Sequence, residues 1–187
     1  MKTEKIYILA GHSDSDPGAP AAKYGMYEAQ LTRNLRNMVF LALKRHPKRQ
    51  DVTALIDSDV DSLREVLKKI PSTENDIIID IHFNAATPAA KGVECFVQEN
   101  RGMQELIKAR SIASALCESI AEIMPTKNRG VKDPAQSNRG KLGLMSLKGA
   151  VVLLEVCFIS NGDELDAYIK NEDAIAEAIV ETLIAHI

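Results

Sequence analysis

Four polar residues of types suited to metal-assisted hydrolysis are spread over most of the chain: His12, Glu28, His82 and Glu155. Two imidazoles and one carboxylate form the ligand set of a catalytic zinc site that keeps a further coordination position open for water. Such a metal lowers the pKa of bound water toward about 7. A second carboxylate, not bound to the metal, is then needed to pass a proton to the leaving group. We therefore expect one zinc ion per chain, held by His12, Glu28 and His82, with Glu155 as the proton carrier.

Spacing alone is weak support for this site, because the four residues do not form a compact motif such as His-Glu-x-x-His. Each of them also has a plain structural interpretation. His12 would then donate to a neighbouring Asp, His82 would bond to a backbone carbonyl, and the head of Glu155 would reach water. What favours a shared site is the position that each residue takes relative to a predicted strand or helix.

The predicted strand that carries His82 is the element around which we expect the site to form. Residues 76–82 include four isoleucines, and β-branched residues favour a pleated surface. A nearly unbroken apolar run is typical of an interior strand covered on both faces. Because side chains alternate along a strand, Asp80, His82 and Asn84 are expected to point to one side at its carboxyl end. Open α/β sheets bind their ligands at that end.

The other three residues take comparable positions. A first predicted strand over residues 6–10 leads directly to His12 and a turn-rich loop. Glu28 falls in line with the apolar stripe of the first predicted helix, where a buried carboxylate needs partners. A strand over residues 151–154 ends in Glu155. Since the carboxyl ends of parallel strands open on one edge of a sheet, these groups are expected to converge.

Strands alternate with helices along the chain, an order typical of a three-layer α/β/α domain with a mostly parallel sheet. We expect about six strands flanked by helices, with one edge strand running antiparallel. A single catalytic domain is expected over residues 1–187, without a separate wall-binding domain. The remaining predicted elements are strands at 52–56, 93–97 and 142–145, helices at 24–44, 62–70 and 103–124, a short helix capped by Asn161, a last helix from Asn171, and a loop at 126–141.

Composition argues against several classes of protein. The chain of 187 residues is 45% hydrophobic and 26% charged, and its net charge of -3 gives no electrostatic reason to expect nucleic acid binding. Three distant cysteines without a Cys-x-x-Cys pair argue against a disulfide framework and a thiolate zinc site. No run approaches the ~20 apolar residues that span a bilayer, and the first apolar stretch is too short for a signal peptide. We expect a soluble chain that is cytoplasmic until released, or a domain trimmed from a secreted protein.

Four short motifs follow one another along nearly the whole chain. They are Ala-Gly-His at 10–12 with Asp-Pro-Gly-Ala at 16–19, Tyr-Glu at 27–28, Ile-His-Phe-Asn-Ala at 81–85 with Gly-Val-Glu at 92–94, and Leu-Leu-Glu-Val-Cys-Phe-Ile-Ser-Asn at 153–161. In order and spacing they resemble the motifs of the zinc-dependent N-acetylmuramoyl-L-alanine amidases of the amidase type 3 family. The resemblance implies that His12, Glu28 and His82 are the zinc ligands and that Glu155 is the catalytic carboxylate.

The resemblance also implies a reaction, which is hydrolysis of the amide between the lactyl group of N-acetylmuramic acid and L-alanine in peptidoglycan. This is the chemistry of cell-wall lysis or remodelling, as in a phage or prophage endolysin. The expected partner is peptidoglycan, with no nucleic acid, no membrane-spanning segment and a monomer as the default state. Two alternatives stay open: a zinc peptidase or amidohydrolase acting on another small amide, and a non-catalytic, metal-stabilised peptidoglycan-binding module.

Departures from the family pattern and polar loop residues give further candidates. Asp80 stands where the family commonly has Ser, and we expect it to orient a ligand by accepting a hydrogen bond; a solvent-facing or Arg-paired Asp is the alternative. Asn84, Arg129 and Arg139 are expected at the substrate rim, the last in the polar loop 133–141, for which a solvated loop is the alternative. No long helical insertion of the kind that occludes autoinhibited members follows the third motif, so we expect an open site.

Overall fold

A six-stranded sheet forms the centre of the protein. The computed structural model describes residues 4–137, 140 and 142–187. The strands of this described part are β1 (Glu4–Ala10), β2 (Pro20–Ala21), β3 (Met26–Tyr27), β4 (Val52–Ile56), β5 (Ile77–Asn84), β6 (Val93–Phe96), β7 (Asn128–Lys132) and β8 (Ala150–Phe158).

The sheet has the strand order β4-β1-β5-β8-β6-β7, while β2 and β3 form a short separate hairpin. Strands β4, β1, β5 and β8 pair in parallel. Strand β6 runs antiparallel to β8, and β7 is parallel to β6. The expected mostly parallel, six-stranded sheet is confirmed, but the expectation of a single antiparallel edge strand is wrong, because two strands are reversed. A parallel pair such as β6 and β7 needs a long crossover connection, and a helix supplies it.

Helices cover both faces of the sheet, but unequally. A large core joins three helices to one face, with buried residues such as Ile79 and Leu154. The other face carries a smaller core under a short helix and a 3-10 turn, with buried residues such as Ile78 and Leu144. The three-layer α/β/α prediction is confirmed. The helices are α1 (Glu28–Arg45), α2 (Leu63–Lys69), α3 (Met103–Ile123) and α4 (Gly162–Ala185), and α2 is the one on the thinner side.

The thinner layer leaves the carboxyl ends of the central strands open. Alternation along β5 turns Ile77, Ile79 and Ile81 toward the thick layer, so Asp80 and His82 face the thin one. In the described part of the chain, no helix combines the length and the apolar character needed to cross a membrane.

Most predicted elements are present, with corrections at their ends. Residue 62 opens α2 through the predicted capping box, in which the Ser62 backbone N–H donates to Glu65 Oε2 at 2.8 Å. Helix α1 begins at Glu28 rather than near residue 24, because the hairpin of β2 and β3 occupies the preceding residues. Gly25 makes its turn with φ of +63°.

Three predictions of secondary structure are wrong. The segment 126–141 contains the strand β7, an edge strand whose polar sequence lacks apolar alternation and which forms by pairing with β6. The segment 142–145 is not a strand, because its residues from 143 onward form a 3-10 turn (Gly143–Ser146) that residue 142 precedes. The two predicted C-terminal helices are one continuous helix, α4, which Asn161 caps by accepting the backbone N–H of Asp163 at 3.1 Å.

Candidate metal centre

The buried carboxylate of Glu28 lies between two imidazoles. Its Oε2 is 3.0 Å from Nε2 of His12, and its Oε1 is 3.0 Å from Nδ1 of His82. Backbone amides complete the set, since the N–H of Ala19 donates to Oε2 at 3.2 Å and that of Phe83 donates to Oε1 at 3.1 Å. The position of Glu28 at the start of α1, with 3% of its surface exposed, therefore has the partners that a buried charge needs.

The two histidines approach each other from the loop after β1, which carries His12, and from β5, which carries His82. Their ring centroids are 5.2 Å apart, with the ring planes at 73°. One ligand atom from each of His12, Glu28 and His82 lies within 4.8 Å of the other two. The structure thus brings the three predicted ligands together, and the set of two nitrogens and one oxygen is suited to a transition metal such as zinc.

Both ring nitrogens of His12 are buried without a hydrogen-bond partner among the described residues. Nδ1 is nevertheless 3.0 Å from Oδ2 of Asp16, and Nε2 is 3.0 Å from Glu28. These are close charge contacts that lack hydrogen-bond geometry. Buried polar atoms without such a bond are costly in a stable protein, and a metal held by an imidazole nitrogen and the carboxylate satisfies both groups.

Two glycines allow the ligand side chains to pack this closely. A Cβ on Gly18 would lie 2.7 Å from Cδ2 of His12 and 2.8 Å from Oε2 of Glu28, and its φ of +69° favours glycine as well. A Cβ on Gly11 would lie 2.3 Å from Cε1 of His82. Both glycines belong to the first motif of the sequence, so that motif shapes the walls around the ligands.

The backbone at His12 is unusual for a residue with a side chain. Its φ is +70°, a conformation that costs about 1–3 kcal/mol for a residue other than glycine. The Thr32 hydroxyl holds the adjoining turn by donating to the Gly11 carbonyl at 2.7 Å, and the Gly11 N–H donates to the Ile81 carbonyl at 2.8 Å. The strained turn directs the imidazole toward Glu28.

The charges of the cluster change the proton affinities of its members. Burial alone would lower the pKa of His12 and of His82, but carboxylates reverse that effect and raise both values. Among the groups that raise these pKa values, Glu28 has the largest effect at His12, and Asp80 has the largest effect at His82. Burial would likewise raise the pKa of Glu28, but the two imidazoles lower it. The cluster therefore favours positive charge at its centre, and a metal ion would compete there with protons.

Asp80 lies behind His82, on the same strand. Its Oδ2 is 3.3 Å from Nε2 of His82, while Nδ1 of that ring faces Glu28. Asp80 is 5% exposed, so a solvent-facing role is wrong. An acceptor at Nε2 holds the ring in the tautomer whose Nδ1 lone pair is free for a metal.

Glu155 lies beside His82. The sequence had suggested that Glu155 ends its strand, but the residue lies within β8, which continues to Phe158. The register of β5 and β8 pairs His82 with Glu155, and the register of β8 and β6 pairs Glu155 with Glu94. The three residues form a row across the sheet, and all of them line one open pocket of about 630 Å³ that also contains His12 and Glu28. The expectation of an open site agrees with this pocket.

The far wall of the pocket holds the rim candidates. Asn84 Nδ2 donates to Oε1 of Glu94 at 2.8 Å, and Lys132 Nζ donates to Oε2 at 2.5 Å. Arg129 also donates to Oε2 through Nε, and its guanidinium lies 5.0 Å from the centre of the Phe158 ring. Asn84 and Arg129 thus line the pocket, and their contact with substrate stays a prediction.

One rim candidate, Arg139, lies outside the described residues. Two other residues, Glu94 and Lys132, line the pocket and were not among the predicted site residues. Glu94 closes the Gly-Val-Glu part of the third motif, and Lys132 closes the Arg-Gly-Val-Lys segment at 129–132. The motif position of Glu94 was a signal from which that residue could have been found, whereas Lys132 stands outside the four motifs of the sequence.

Comparisons with known proteins agree with this geometry. A family model described as N-acetylmuramoyl-L-alanine amidase matches residues 6–185. Among solved structures, an N-acetylmuramoyl-L-alanine amidase from Clostridium difficile 630 matches with a TM-score of 0.80 and 21% identity, covering 98% of this chain and 96% of its own. The amidase AmiC2 of Nostoc punctiforme matches with a TM-score of 0.77 and 19% identity, covering 99% and 97%.

A third structure has a higher identity. The catalytic domain of the CD27L endolysin, which targets Clostridia difficile, matches with a TM-score of 0.71 and 25% identity, covering 97% of each chain. No curated protein sequence matches significantly. At these identities the structural matches support the fold, and the family model is the finding that bears on the chemistry.

Proposed function

Because the chain belongs to the N-acetylmuramoyl-L-alanine amidase family, whose model matches residues 6–185, we propose that His12, Glu28 and His82 hold one zinc ion and that Glu155 is the catalytic carboxylate. The enzyme is a hydrolase, and its reaction is cleavage of the amide between N-acetylmuramic acid and L-alanine in peptidoglycan. The observation that carries the assignment of residues is the position of Glu28, whose carboxylate oxygens lie 3.0 Å from a nitrogen of each imidazole. One of those imidazoles, that of His82, is paired in register with Glu155 on the neighbouring strand.

When bound at these ligands, zinc supplies Lewis acidity toward the substrate carbonyl and lowers the pKa of water. The protein residues prepare the ligand set. Two backbone N–H groups fix the Glu28 carboxylate, and Asp80 sets the tautomer of His82. The strained turn at His12 brings the second imidazole to the same place. The ligands are thus largely positioned before the metal binds, which reduces the ordering that binding requires.

The role proposed for Glu155 is proton transfer. It accepts a proton from the attacking water and delivers it to the departing amine of L-alanine, as general base and then general acid. Its place opposite His82 sets the side chain about 4.8 Å away across the sheet, the spacing of neighbouring strands. This position is close enough to serve the same substrate atoms as the ligands and is outside the ligand set itself.

The shape of the site suits a polymeric substrate. The pocket of about 630 Å³ is open along the carboxyl ends of β5 and β8, and its lining is shared between the ligand cluster and the wall around Glu94. We propose that a glycan-linked peptide enters from the side, and that the enzyme acts on the cell wall.

Digestion of purified cell walls tests the proposed function. The protein should carry about one zinc per chain, lose both zinc and turnover with a chelator, and recover both when zinc is returned. The released peptides should bear new L-alanine amino termini. Peptides with other amino termini would identify a zinc peptidase or amidohydrolase of different specificity. Zinc-loaded protein that binds cell walls without releasing peptides would identify a binding module.

A further inference from the structure

We propose that Arg129 and Lys132 form a carboxylate-binding wall that selects acidic stem peptides over their amidated forms. The inference rests on the proposed function, and it assigns the peptide side of the substrate to this wall. The two residues share one carboxylate partner, Glu94, on the side of the pocket away from His12. Counted over Arg129, Lys132 and Glu94, the three charged residues of this wall, two cations and one anion leave a net positive charge.

The two cations are held in place and still face the pocket. Glu94 is only 5% exposed in its side chain, while Arg129 is 30% and Lys132 24% exposed. Nε of Arg129 is used by Glu94, and the guanidinium lies over the Phe158 ring. Its Nη1 is 3.4 Å from the Lys91 carbonyl oxygen, near the long limit of a hydrogen bond. The terminal nitrogens of a guanidinium are the donors that bind a second carboxylate.

The buried carboxylate of Glu94 stays charged, and its charge offsets the repulsion between Arg129 and Lys132. Burial would raise the pKa of Glu94, but Lys132 and Arg129 lower it. Asn84 donates to the other oxygen of the same carboxylate. The wall is therefore preorganised, and a ligand carboxylate would bind to side chains whose ordering has already occurred.

The distance of the wall from the ligand cluster fits the peptide part of the substrate. His82, Glu155 and Glu94 follow one another across β5, β8 and β6. At about 4.8 Å per strand, Glu94 lies roughly 10 Å from His82. An extended chain rises about 3.3–3.6 Å per residue, so this separation corresponds to about three residues. The first free carboxylate beyond the cleaved bond belongs to the second stem residue, D-glutamate, and long cationic side chains shorten the remaining gap.

The positive charge of the wall determines which part of the substrate binds to it. The lactyl carboxyl of N-acetylmuramic acid is consumed in the amide that is cleaved, so the glycan side offers no anion there. The stem peptide carries free carboxylates unless they are amidated. A positive wall therefore favours the peptide, and it favours D-glutamate over D-isoglutamine at the second residue.

Two small substrates that differ in one group test this inference. The value of kcat/KM is measured for N-acetylmuramoyl-L-alanyl-D-glutamate and for N-acetylmuramoyl-L-alanyl-D-isoglutamine. The zinc-loaded wild type should prefer the acid about tenfold, a ratio typical of a charge-assisted hydrogen bond. The preference should appear mainly in KM and should decrease with added salt. Equal values for the two substrates in the wild type would overturn the proposal.

Variants separate recognition from a structural role. Arg129→Gln and Lys132→Gln should each reduce the acid-to-amide ratio, and the double variant should bring it close to one. Arg129→Lys keeps the charge and should retain most of the preference. If the cations serve only to hold Glu94, both substrates will lose activity equally and the ratio will stay at the wild-type value. Lys148→Gln, which removes an exposed cation paired with Glu74, is the control and should leave the ratio unchanged.

The same two substrates show whether the proposed function or only this inference is wrong. If the wild type cleaves neither substrate, the amidase assignment to this site is wrong. The dipeptides L-alanyl-D-glutamate and L-alanyl-D-isoglutamine then decide the inference by titration calorimetry with wild-type and double-variant protein. Tighter binding of the acid that is lost in the double variant supports the wall, and equal binding of the two dipeptides overturns it.

Discussion

His82 and Glu155 are register partners on the adjacent parallel strands β5 and β8. Their relative position is set by the backbone ladder of two buried strands, not by a loop. A shift of the register by one residue would turn Glu155 to the opposite face of the sheet. The pairing therefore fixes the proposed proton carrier beside the proposed ligand.

Glu155→Gln should separate catalysis from metal binding. The amide is nearly isosteric with the carboxylate but cannot accept the proton, so turnover on cell walls should fall roughly 10³-fold. Zinc content should stay at about one per chain, because Glu155 is outside the ligand cluster. Metal analysis and peptide release on the same sample check both statements. Turnover within tenfold of the wild type would contradict the proposed role.

Gly18→Ala should damage the metal site, and Gly25→Ala provides a matched control. Both glycines have similar positive φ, +69° and +63°, so each substitution should cost about 1–2 kcal/mol of folding free energy. The new Cβ at Gly18 would meet His12 and Glu28, whereas that at Gly25 has nothing within 4 Å. Zinc affinity, measured by competition with a chelating dye, should fall at least tenfold in Gly18→Ala alone. Equal affinities in the two variants would show that the close packing is unimportant.

Asp80→Asn should weaken zinc binding about 10–100-fold, as expected when the carboxylate behind a ligand histidine is lost. Asp80→Ser, which introduces the residue common in the family, should have an effect in the same direction. Asp76→Asn is the control, since Asp76 is also buried but accepts from Lys5 and Thr73 instead of a histidine. An unchanged zinc affinity in both Asp80 variants would exclude the orienting role.

Glu94 should make part of the stability dependent on pH. Lys132 and Arg129 lower its pKa from the ordinary value of 4.5, so the charged form is favoured in the folded protein. That contribution is present above about pH 4.5 and is lost as the pH falls through the lowered value. Urea unfolding of wild type and Glu94→Gln should show the largest difference in free energy of unfolding at pH 7. The difference should shrink by pH 3, and a constant difference would refute the charge-based account.

Much of the candidate site could be predicted because its residues adjoin strands with a clear apolar signal. The isoleucines before His82 and the apolar run before Glu155 each specify a buried strand, and parallel strands bring their ends to one edge. The inward position of Glu28 followed from the helical period of α1. The positive φ of His12, by contrast, depends on contacts from Thr32 and Gly11 that no local pattern contains.

The far wall could not be predicted because pairing across the sheet creates it. Strand β7 has a polar sequence and is stabilised by its neighbour β6, so local propensity indicated a loop. Glu94, Arg129 and Lys132 come together only when that pairing and the reversal of β6 against β8 are known. Likewise, the continuity of α4 past Asn171 depends on packing against the core and not on a capping signal.

The reversed pair β6 and β7 has a consequence for how such an enzyme diversifies. The proposed zinc ligands lie in the loop after β1, on α1 and on β5, whereas two of the three charged wall residues lie on β7 and the third on β6. Chemistry and peptide choice are therefore encoded in separate stretches of polypeptide, which meet within the sheet where β8 pairs with β6. New cell-wall preferences can be acquired by exchanging the segment that carries β6 and β7, while the residues proposed for bond cleavage are inherited unchanged.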